Sequence, residues 1–175
     1  MRVMNILIIG IDHELQKARQ VDEDSDRAAR KDQLEALLKK EIAERRVGFI
    51  SEESDPKAIT IANQLAGGWK PRIPWKNITM PENERKKAGI FEALKNRPTF
   101  PELRKDRQLV AIEHRIPEDE VYEAYLIDQT KQGAGGAQSI LILCGDLHVD
   151  ALKESLERDG HLVDQNHSLV EKRWV

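Results

Sequence analysis

Two apolar segments, each leading into glycine, two further residues and histidine, constrain the fold of this chain more than any other feature. The first is NILIIGIDHE, from Asn5 to Glu14, and the second is ILILCGDLHV, from Ile140 to Val149. A short continuous apolar run is typical of a strand that is buried on both faces of a parallel sheet. The sequence therefore predicts two central strands that lead into the same Gly-x-x-His turn.

Helices and a further strand are predicted between these two segments. Apolar residues at helical spacing predict a helix over about 24–45, and a strand that begins at Val47 and ends in acidic residues follows it. Asp55 and Pro56 then have the pattern of an N-cap and a first helical residue. The glycine pair 67–68 is expected to end that helix.

The second half of the chain continues the alternation of helices and strands. A polar helix is predicted over about 102–130, with Pro117 expected to break or restart it, and its inner face is assigned to Val121, Tyr122, Tyr125 and Leu126. A strand over 140–144 and a helix that Gly160 ends come next. Strands alternating with helices predict an α/β fold with a mainly parallel sheet flanked by helices. Residues 1–175 are interpreted as a single domain.

One segment fits this alternation poorly. Residues 69–104 contain five of the seven prolines and two of the three tryptophans. A short strand near 73–78 and a helix near 82–95 are expected within it. The segment is interpreted either as an insert that serves as a lid or interaction surface, or as an irregular connection.

Composition excludes several classes of function. The net charge is −3 and 34% of the residues are charged, with both signs interleaved, so no basic face for nucleic acid is expected. No apolar run approaches the ~20 residues of a membrane span, and the N-terminus lacks the features of a signal peptide. Cys144 is the single cysteine, and its apolar strand position predicts a buried, inert thiol. A cytoplasmic protein is expected.

The ends of the predicted strands carry the residues of a candidate metal site. His13 and His148 leave from the same edge if both strands belong to one parallel sheet, and Glu52 and Glu53 end a third strand. Imidazoles and carboxylates gathered at one edge suit a divalent ion, which lowers the pKa of bound water to about 7. The predicted ligands are His13, His148 and Glu53, and all three are also predicted to act in catalysis together with Glu52.

Other residues of the two motifs have supporting roles in this prediction. Gly10 and Gly145 let the backbone approach a bound cofactor closely. Asp12 and Asp146 are expected to be further ligands or to orient an imidazole. In the alternative interpretation each histidine is an ordinary polar loop residue and the acidic pair is solvated.

These motifs resemble those of the TIKI/TraB superfamily. The resemblance covers residues 5–14, 49–54 and 140–160, where Gly10–His13, Gly145–His148 and the acidic strand end stand. It implies an erythromycin-esterase/ChaN-like α/β fold with the histidines and glutamates around one cleft. The superfamily includes Tiki proteases that depend on divalent metals, TraB/PrgY and GumN-like proteins, erythromycin esterases and the haem-binding protein ChaN.

The chain departs from the family in the helix before the late strand. Members often have an arginine that opens this helix, whereas PEDEVYEAYLID begins acidic here and Arg115 precedes Pro117. A role for Arg115 therefore stays open.

Three functions are compatible with this sequence. The first is a metal-dependent hydrolase (Mn, Zn or Co) that cleaves an ester or amide of a small-molecule or peptide substrate, with the non-ligand carboxylate as general base. The second is a binding protein for a metal or haem without turnover. The third is an interaction or regulatory module that uses residues 69–104. No nucleic-acid or membrane partner is expected, and a homo-oligomer is left open.

Overall fold

The computed structural model describes residues 2–18, 25–104, 109–169 and 173–174. Its strands, in chain order, are β1 (Asn5–Ile11), β2 (Phe49–Glu52), β3 (Trp75–Asn77), β4 (Thr99–Arg104), β5 (Leu109–Glu113), β6 (Ser139–Gly145), β7 (Leu162–Asn166) and β8 (Arg173–Trp174). Five of them form an all-parallel sheet in the order β3-β2-β6-β1-β7. The other three form a small antiparallel sheet in the order β5-β4-β8.

Helices cover both faces of the parallel sheet. They are α1 (His13–Gln16), α2 (Ser25–Arg45), α3 (Ile61–Gly68), α4 (Glu82–Lys87), α5 (Phe91–Lys95), α6 (Asp119–Ala134) and α7 (Val149–Arg158), with a 3₁₀ turn at Asp146–His148. Core residues of α2 and α3 pack on one face, and those of α6 and α7 pack on the other. The molecule is therefore a single small α/β domain with three layers, as the alternation of elements predicts.

Successive side chains of a central strand point to opposite faces of the sheet, and this divides the core into two halves. Ile6 and Ile8 of β1 pack towards α6 and α7, whereas Leu7 and Ile9 pack towards α2 and α3. All four are at most 3% exposed. A strand that buries both faces needs apolar residues at every position, which explains the unbroken run in the sequence.

The helix predicted over 102–130 is wrong in its first half. Residues 99–104 and 109–113 form the antiparallel pair β4 and β5, residues 105–108 lie outside the described part of the chain, and α6 starts only at Asp119, after Pro117. β4 also pairs with the distant strand β8, and strand pairing of this kind overrides the weak helical preference of a polar segment. Within α6, Tyr122 and Leu126 are buried as predicted, but Val121 is 47% exposed.

The predicted start of the helix after β2 is also wrong. Asp55 accepts a hydrogen bond from the backbone N–H of Lys57 in a turn, and no helix begins there. The helix α3 begins at Ile61, and Thr60 caps it by accepting from the backbone N–H of Asn63 at 3.1 Å. The glycine pair 67–68 forms the last two residues of this helix.

The segment 69–104 is partly built into the domain. Its strand β3 pairs with β2 at the edge of the main sheet, and Ile73, Ile78, Met80 and Ile90 are buried. Gly89, with φ of 72°, lies between α4 and α5, so the helix expected near 82–95 is two short helices. Only the part from residue 99 onward belongs to the second sheet.

Among the helices of the described residues, none combines the length and the apolar character needed to cross a membrane.

Candidate functional site

Three neighbouring strands of the parallel sheet end at the predicted site. Glu52 is the last residue of β2, Gly145 is the last of β6, and His13 follows β1 after one intervening residue. The connection after β1 runs over the α2 face to β2, whereas the connection after β6 runs over the α7 face to β7. Strands whose connections leave in opposite directions create a crevice at their carboxyl ends, where ligands of parallel α/β sheets bind.

Glu53 lies at the centre of this crevice, with a side chain only 7% exposed. The Tyr122 hydroxyl donates to Oε1 at 2.8 Å, and the backbone N–H of Gly145 donates to Oε2 at 2.9 Å. His148 Nε2 lies 3.8 Å from Oε1, and His13 Nε2 lies 4.0 Å from Oε2. The structure therefore brings histidines from opposite ends of the chain to the two oxygens of one carboxylate.

His13 is the accessible member of this cluster. It opens α1, its side chain is 51% exposed, and its Nδ1 lies 2.7 Å from Oε1 of Gln16. The Gln16 amide nitrogen donates to Glu52 Oε1 and to the backbone oxygen of Glu53, so its oxygen is turned towards His13. An amide oxygen can only accept, which places the proton of neutral His13 on Nδ1. The lone pair on Nε2 then faces Glu53.

His148 is the buried member, with a side chain 6% exposed. Its Nδ1 lies 3.0 Å from Oε1 of Glu123, and its ring lies 5.4 Å from the Tyr122 ring, centroid to centroid. Arg115 also donates to the Glu123 carboxylate. Arg115 is thus connected to the cluster through Glu123, whose carboxylate contacts the His148 imidazole. Among the described contacts, Arg115 has no hydrogen bond to His148 itself.

Charge pairing outweighs burial at the centre of the cluster. Burial opposes the ionisation of Glu53, but the charges of His148 and His13 and the two hydrogen bonds lower the pKa of this carboxyl below its usual value. Burial likewise opposes protonation of His148, but its hydrogen bond to Glu123 and the charge of Glu53 raise its pKa. Both shifts favour a carboxylate facing an imidazolium.

Glu52, predicted to be catalytic, occupies a different environment from its neighbour. It is fully buried and accepts hydrogen bonds from Thr60 Oγ1 at 2.6 Å, Trp75 Nε1 at 2.8 Å and Gln16 Nε2 at 3.2 Å. Burial raises the pKa of Glu52 to about 7, although these hydrogen bonds and the charge of His13 oppose the rise. The structure links Glu52 to the His13 imidazole through Gln16, whose amide the Glu52 carboxylate helps to orient.

The two motif glycines have different surroundings. A Cβ on Gly145 would lie 3.1 Å from His13 Nε2 and 3.7 Å from Glu53 Oε2, so this glycine faces the cluster. Gly10 lies within β1, one residue before its end, and a Cβ there would lie 2.5 Å from Asp146 Oδ1 and 2.8 Å from Val149 Cγ2. Gly10 therefore allows the turn after β6 to pack closely against β1.

The remaining polar residues of the two motifs have partners away from His13 and His148. Asp12 pairs with Arg30 at 3.1 Å, and Asp146 Oδ1 lies 2.6 Å from Nδ1 of His167. Cys144 is fully buried, as predicted, and burial raises the pKa of its thiol well above the usual value.

The cluster has the donor atoms of a metal site, but the distances between these atoms are too long for one. Protein ligands lie about 2 Å from a shared zinc ion, so donors that flank it at an angle lie closer together than the 3.8 and 4.0 Å observed here. Across the described ranges 2–18, 25–104, 109–169 and 173–174, no group of three or more His, Cys, Asp and Glu side chains is arranged to hold a metal ion.

A cleft of about 350 Å³ opens beside the cluster. His13, Gln16 and Glu53 form the part of its wall next to the strand ends. The residues that line the rest are Lys17, Ser54, Asp55, Pro56, Ala58, Thr60, Thr79 and Arg85. Its volume lies at the lower end of the range for small-molecule sites, and it contains charged groups of both signs.

Sequence reasoning did not identify Gln16, Tyr122 or Glu123 as site residues. Gln16 follows His13 by three residues, the spacing at which side chains of one helical turn meet, so a helix at His13 would have indicated it. Tyr122 and Glu123 had no such local signal, because α6 reaches the cluster only through tertiary packing.

Comparisons with protein-family models, curated proteins and solved structures find no match to this chain. The resemblance to the TIKI/TraB superfamily therefore stays a prediction from the motifs.

Proposed function

We propose that the protein is a hydrolase that activates water at the His13–Glu53–His148 cluster and cleaves an ester or amide bond of a small-molecule or peptide substrate. One observation carries this proposal. Each imidazole has its Nδ1 fixed by a neighbouring acceptor, and each directs Nε2 to the same buried carboxylate. Two fixed imidazoles and a carboxylate beside an open cleft supply the groups that acid–base catalysis needs.

His13 is the general base in this proposal. Its Nε2 takes a proton from water as the water oxygen attacks the substrate carbonyl carbon, and it returns the proton to the leaving oxygen or nitrogen. Gln16 holds the tautomer that leaves Nε2 free to do so. The negative charge of Glu53, 4.0 Å away, stabilises the imidazolium formed during the reaction.

His148 and its partners keep Glu53 ionised. The imidazolium of His148 lies between the carboxylates of Glu53 and Glu123, and Tyr122 donates a further hydrogen bond to Glu53. A buried carboxylate without these partners would take up a proton and lose its effect on His13.

We also propose that the cluster could bind a divalent ion, although the proposed reaction does not depend on it. The donor types of His13, Glu53 and a neutral His148 would suit Mn, Zn or Co, and a carboxylate at Nδ1 of His148 is the usual outer partner of a metal-bound imidazole. Such an ion supplies a more acidic water. The distances of 3.8 and 4.0 Å between the imidazole nitrogens and the Glu53 oxygens are too long for a shared ion, so the proposed reaction uses the side chains alone.

The test is a screen of ester and amide substrates, run with added Mn, Zn or Co and with a chelator. We expect His13→Ala to lower kcat/KM by roughly 10²–10⁴-fold, the usual contribution of a general base. His167→Ala is the matched control, because His167 is also partly exposed and bound to a carboxylate through Nδ1, but it lies outside the cleft lining. Its activity should equal that of the wild type.

The same experiment separates the alternative functions. Hydrolysis that survives His13→Ala, or no hydrolysis of any substrate, would contradict the proposal. A stoichiometric ion that is lost in His13→Ala and His148→Ala, without any turnover, would instead favour a metal-binding protein. The single buried cysteine is suited to a reducing compartment, and we propose the cytoplasm as the site of action.

A further inference from the structure

The helix α4 carries three consecutive cations, and they differ in their partners. Lys86 pairs with Glu82 at 2.5 Å and Lys87 pairs with Glu84 at 2.9 Å, both within the helix. Arg85 has no hydrogen bond from its side chain and no salt bridge to any of the described residues, and its Nε is buried without an acceptor there. Arg85 as a whole is only half-buried, but a donor atom buried without an acceptor is costly, and an acceptor that enters the cleft beside it would reduce this cost.

Arg85 is held at the wall of the cleft. Its backbone N–H donates to Pro81 O, and its backbone oxygen accepts from the N–H of Ile90. Ile90 is 3% exposed and Met80 is 4% exposed, so buried residues at both sides of α4 anchor it to the core. The main chain that carries Arg85 is therefore fixed at the edge of the cleft that this residue lines, as in sites that recognise a specific group.

The charges facing the cleft favour an anion near Arg85. Glu53 is already compensated by Tyr122, Gly145 and the two imidazoles, and Asp55 lies exposed at the surface. Lys17 lines the same cleft. The positive charge of Arg85 also extends to the Tyr122 hydroxyl, because it lowers the pKa of that group against the larger effect of burial.

We propose that the cleft binds a small anion whose carboxylate or phosphate group is held by Arg85, while His13 faces the remainder of the molecule. This rests on the proposed function in one respect, since it makes the anion the substrate of that hydrolase. A guanidinium suits both groups, because its planar N–H donors match two oxygens of either one. The volume of about 350 Å³ restricts the occupant to a small molecule or the end of a larger one.

Binding is measured by isothermal titration calorimetry at physiological salt with three probes: succinate, inorganic phosphate and the neutral succinamide. We expect succinate or phosphate to bind the wild type and succinamide not to bind. Arg85→Gln should weaken the binding by roughly tenfold or more, the usual effect of losing a hydrogen bond to a charged group. Arg85→Lys should weaken it less, because the charge remains. The two anions distinguish a carboxylate site from a phosphate site.

Lys87→Gln is the matched control, because it removes the same charge from the same helix outside the cleft lining. It should leave the affinity unchanged, and thermal unfolding should show that all variants fold. Binding of neither anion, or an equal loss in Lys87→Gln and Arg85→Gln, would overturn the inference.

Measuring hydrolysis alongside anion binding distinguishes a failure of the anion site from a failure of the proposed function. An Arg85-dependent anion site in a protein without hydrolytic activity would overturn the function and support the anion site. An active hydrolase with the same kcat/KM for an anionic ester and for its neutral methyl ester would overturn the anion site and support the function.

Discussion

The two Gly-x-x-His motifs have the same pattern in sequence but different structures. After Gly10, strand β1 continues for one residue, and His13 then opens the short helix α1 with its side chain half exposed at the cleft. Gly145 is the last residue of its strand, and His148 ends a 3₁₀ turn with its side chain 6% exposed. One imidazole is bound by a neutral amide and the other by a carboxylate.

The comparison shows that a repeated motif need not repeat a role. Both histidines approach Glu53, but only His13 is open to a substrate. His148 lies buried between two carboxylates, whose presence raises its pKa and so favours a positive charge there. We therefore propose that proton transfer falls to His13, whereas His148 maintains the charged state of Glu53.

The largest effect on stability is expected from removing the buried histidine. His148→Ala leaves the carboxylates of Glu53 and Glu123 without their shared cation, and breaking a buried ion pair costs about 3 kcal/mol or more. Urea unfolding measures this loss, with His13→Ala as the control. The control should lose less than about 1 kcal/mol, because the His13 side chain is half exposed and its contact with Glu53 is long, at 4.0 Å. Equal losses in the two variants would contradict the division of roles.

A smaller difference is expected between the two glycines. Gly10→Ala places a methyl group against Asp146 and Val149, including the Asp146 backbone at 3.2 Å, and should destabilise the fold by about 2 kcal/mol. Gly145→Ala meets His13 Nε2 at 3.1 Å, the end of a side chain that can move, and should cost less than about 1 kcal/mol.

For activity we expect the opposite order, with a larger loss in Gly145→Ala than in Gly10→Ala. Thermal unfolding and kcat/KM measured on both variants test this, because Gly145→Ala displaces His13 and should reduce activity despite its stability. If Gly145→Ala retained full activity, this glycine would have no role in positioning the cluster.

The smallest expected effect is the pH dependence of the stability that His148 contributes. Burial opposes its protonation, but Glu123 and Glu53 raise its pKa above 6.5. A raised pKa contributes stability that is fully present below pH 6.5 and is lost as the pH rises through the value in the folded protein. The difference in unfolding free energy between the wild type and His148→Gln should therefore decrease above pH 6.5.

Urea unfolding at pH values from about 6 to about 9 measures this difference. Glu52, with a pKa of about 7, titrates in the same window, but it is present in both proteins and its contribution largely cancels. A difference that stays constant or increases with pH would show that His148 is not held as a cation.

Much of the site was accessible from the sequence, because its residues follow buried strands. Parallel strands end at a common edge, so the motifs at Gly10 and Gly145 and the acidic residue Glu53 could be placed together before the structure was known. Glu52 could not be separated from Glu53 in this way. Side chains alternate along an extended chain, and packing decided that Glu52 contacts Thr60 and Trp75 while its neighbour faces the cluster.

The sequence by itself determined the class of fold, since strands buried on both faces require unbroken apolar runs and helices require their own spacing of apolar residues. Both signals are local and depend only on the geometry of a short segment. Tertiary structure alone decided that β4 pairs with the distant strand β8, that α6 delivers Tyr122 and Glu123 to the crevice, and that Arg85 lines the cleft beside it. Contacts of this kind join residues far apart in the chain and leave no periodic pattern in either partner, so they are set by the packing of the whole domain.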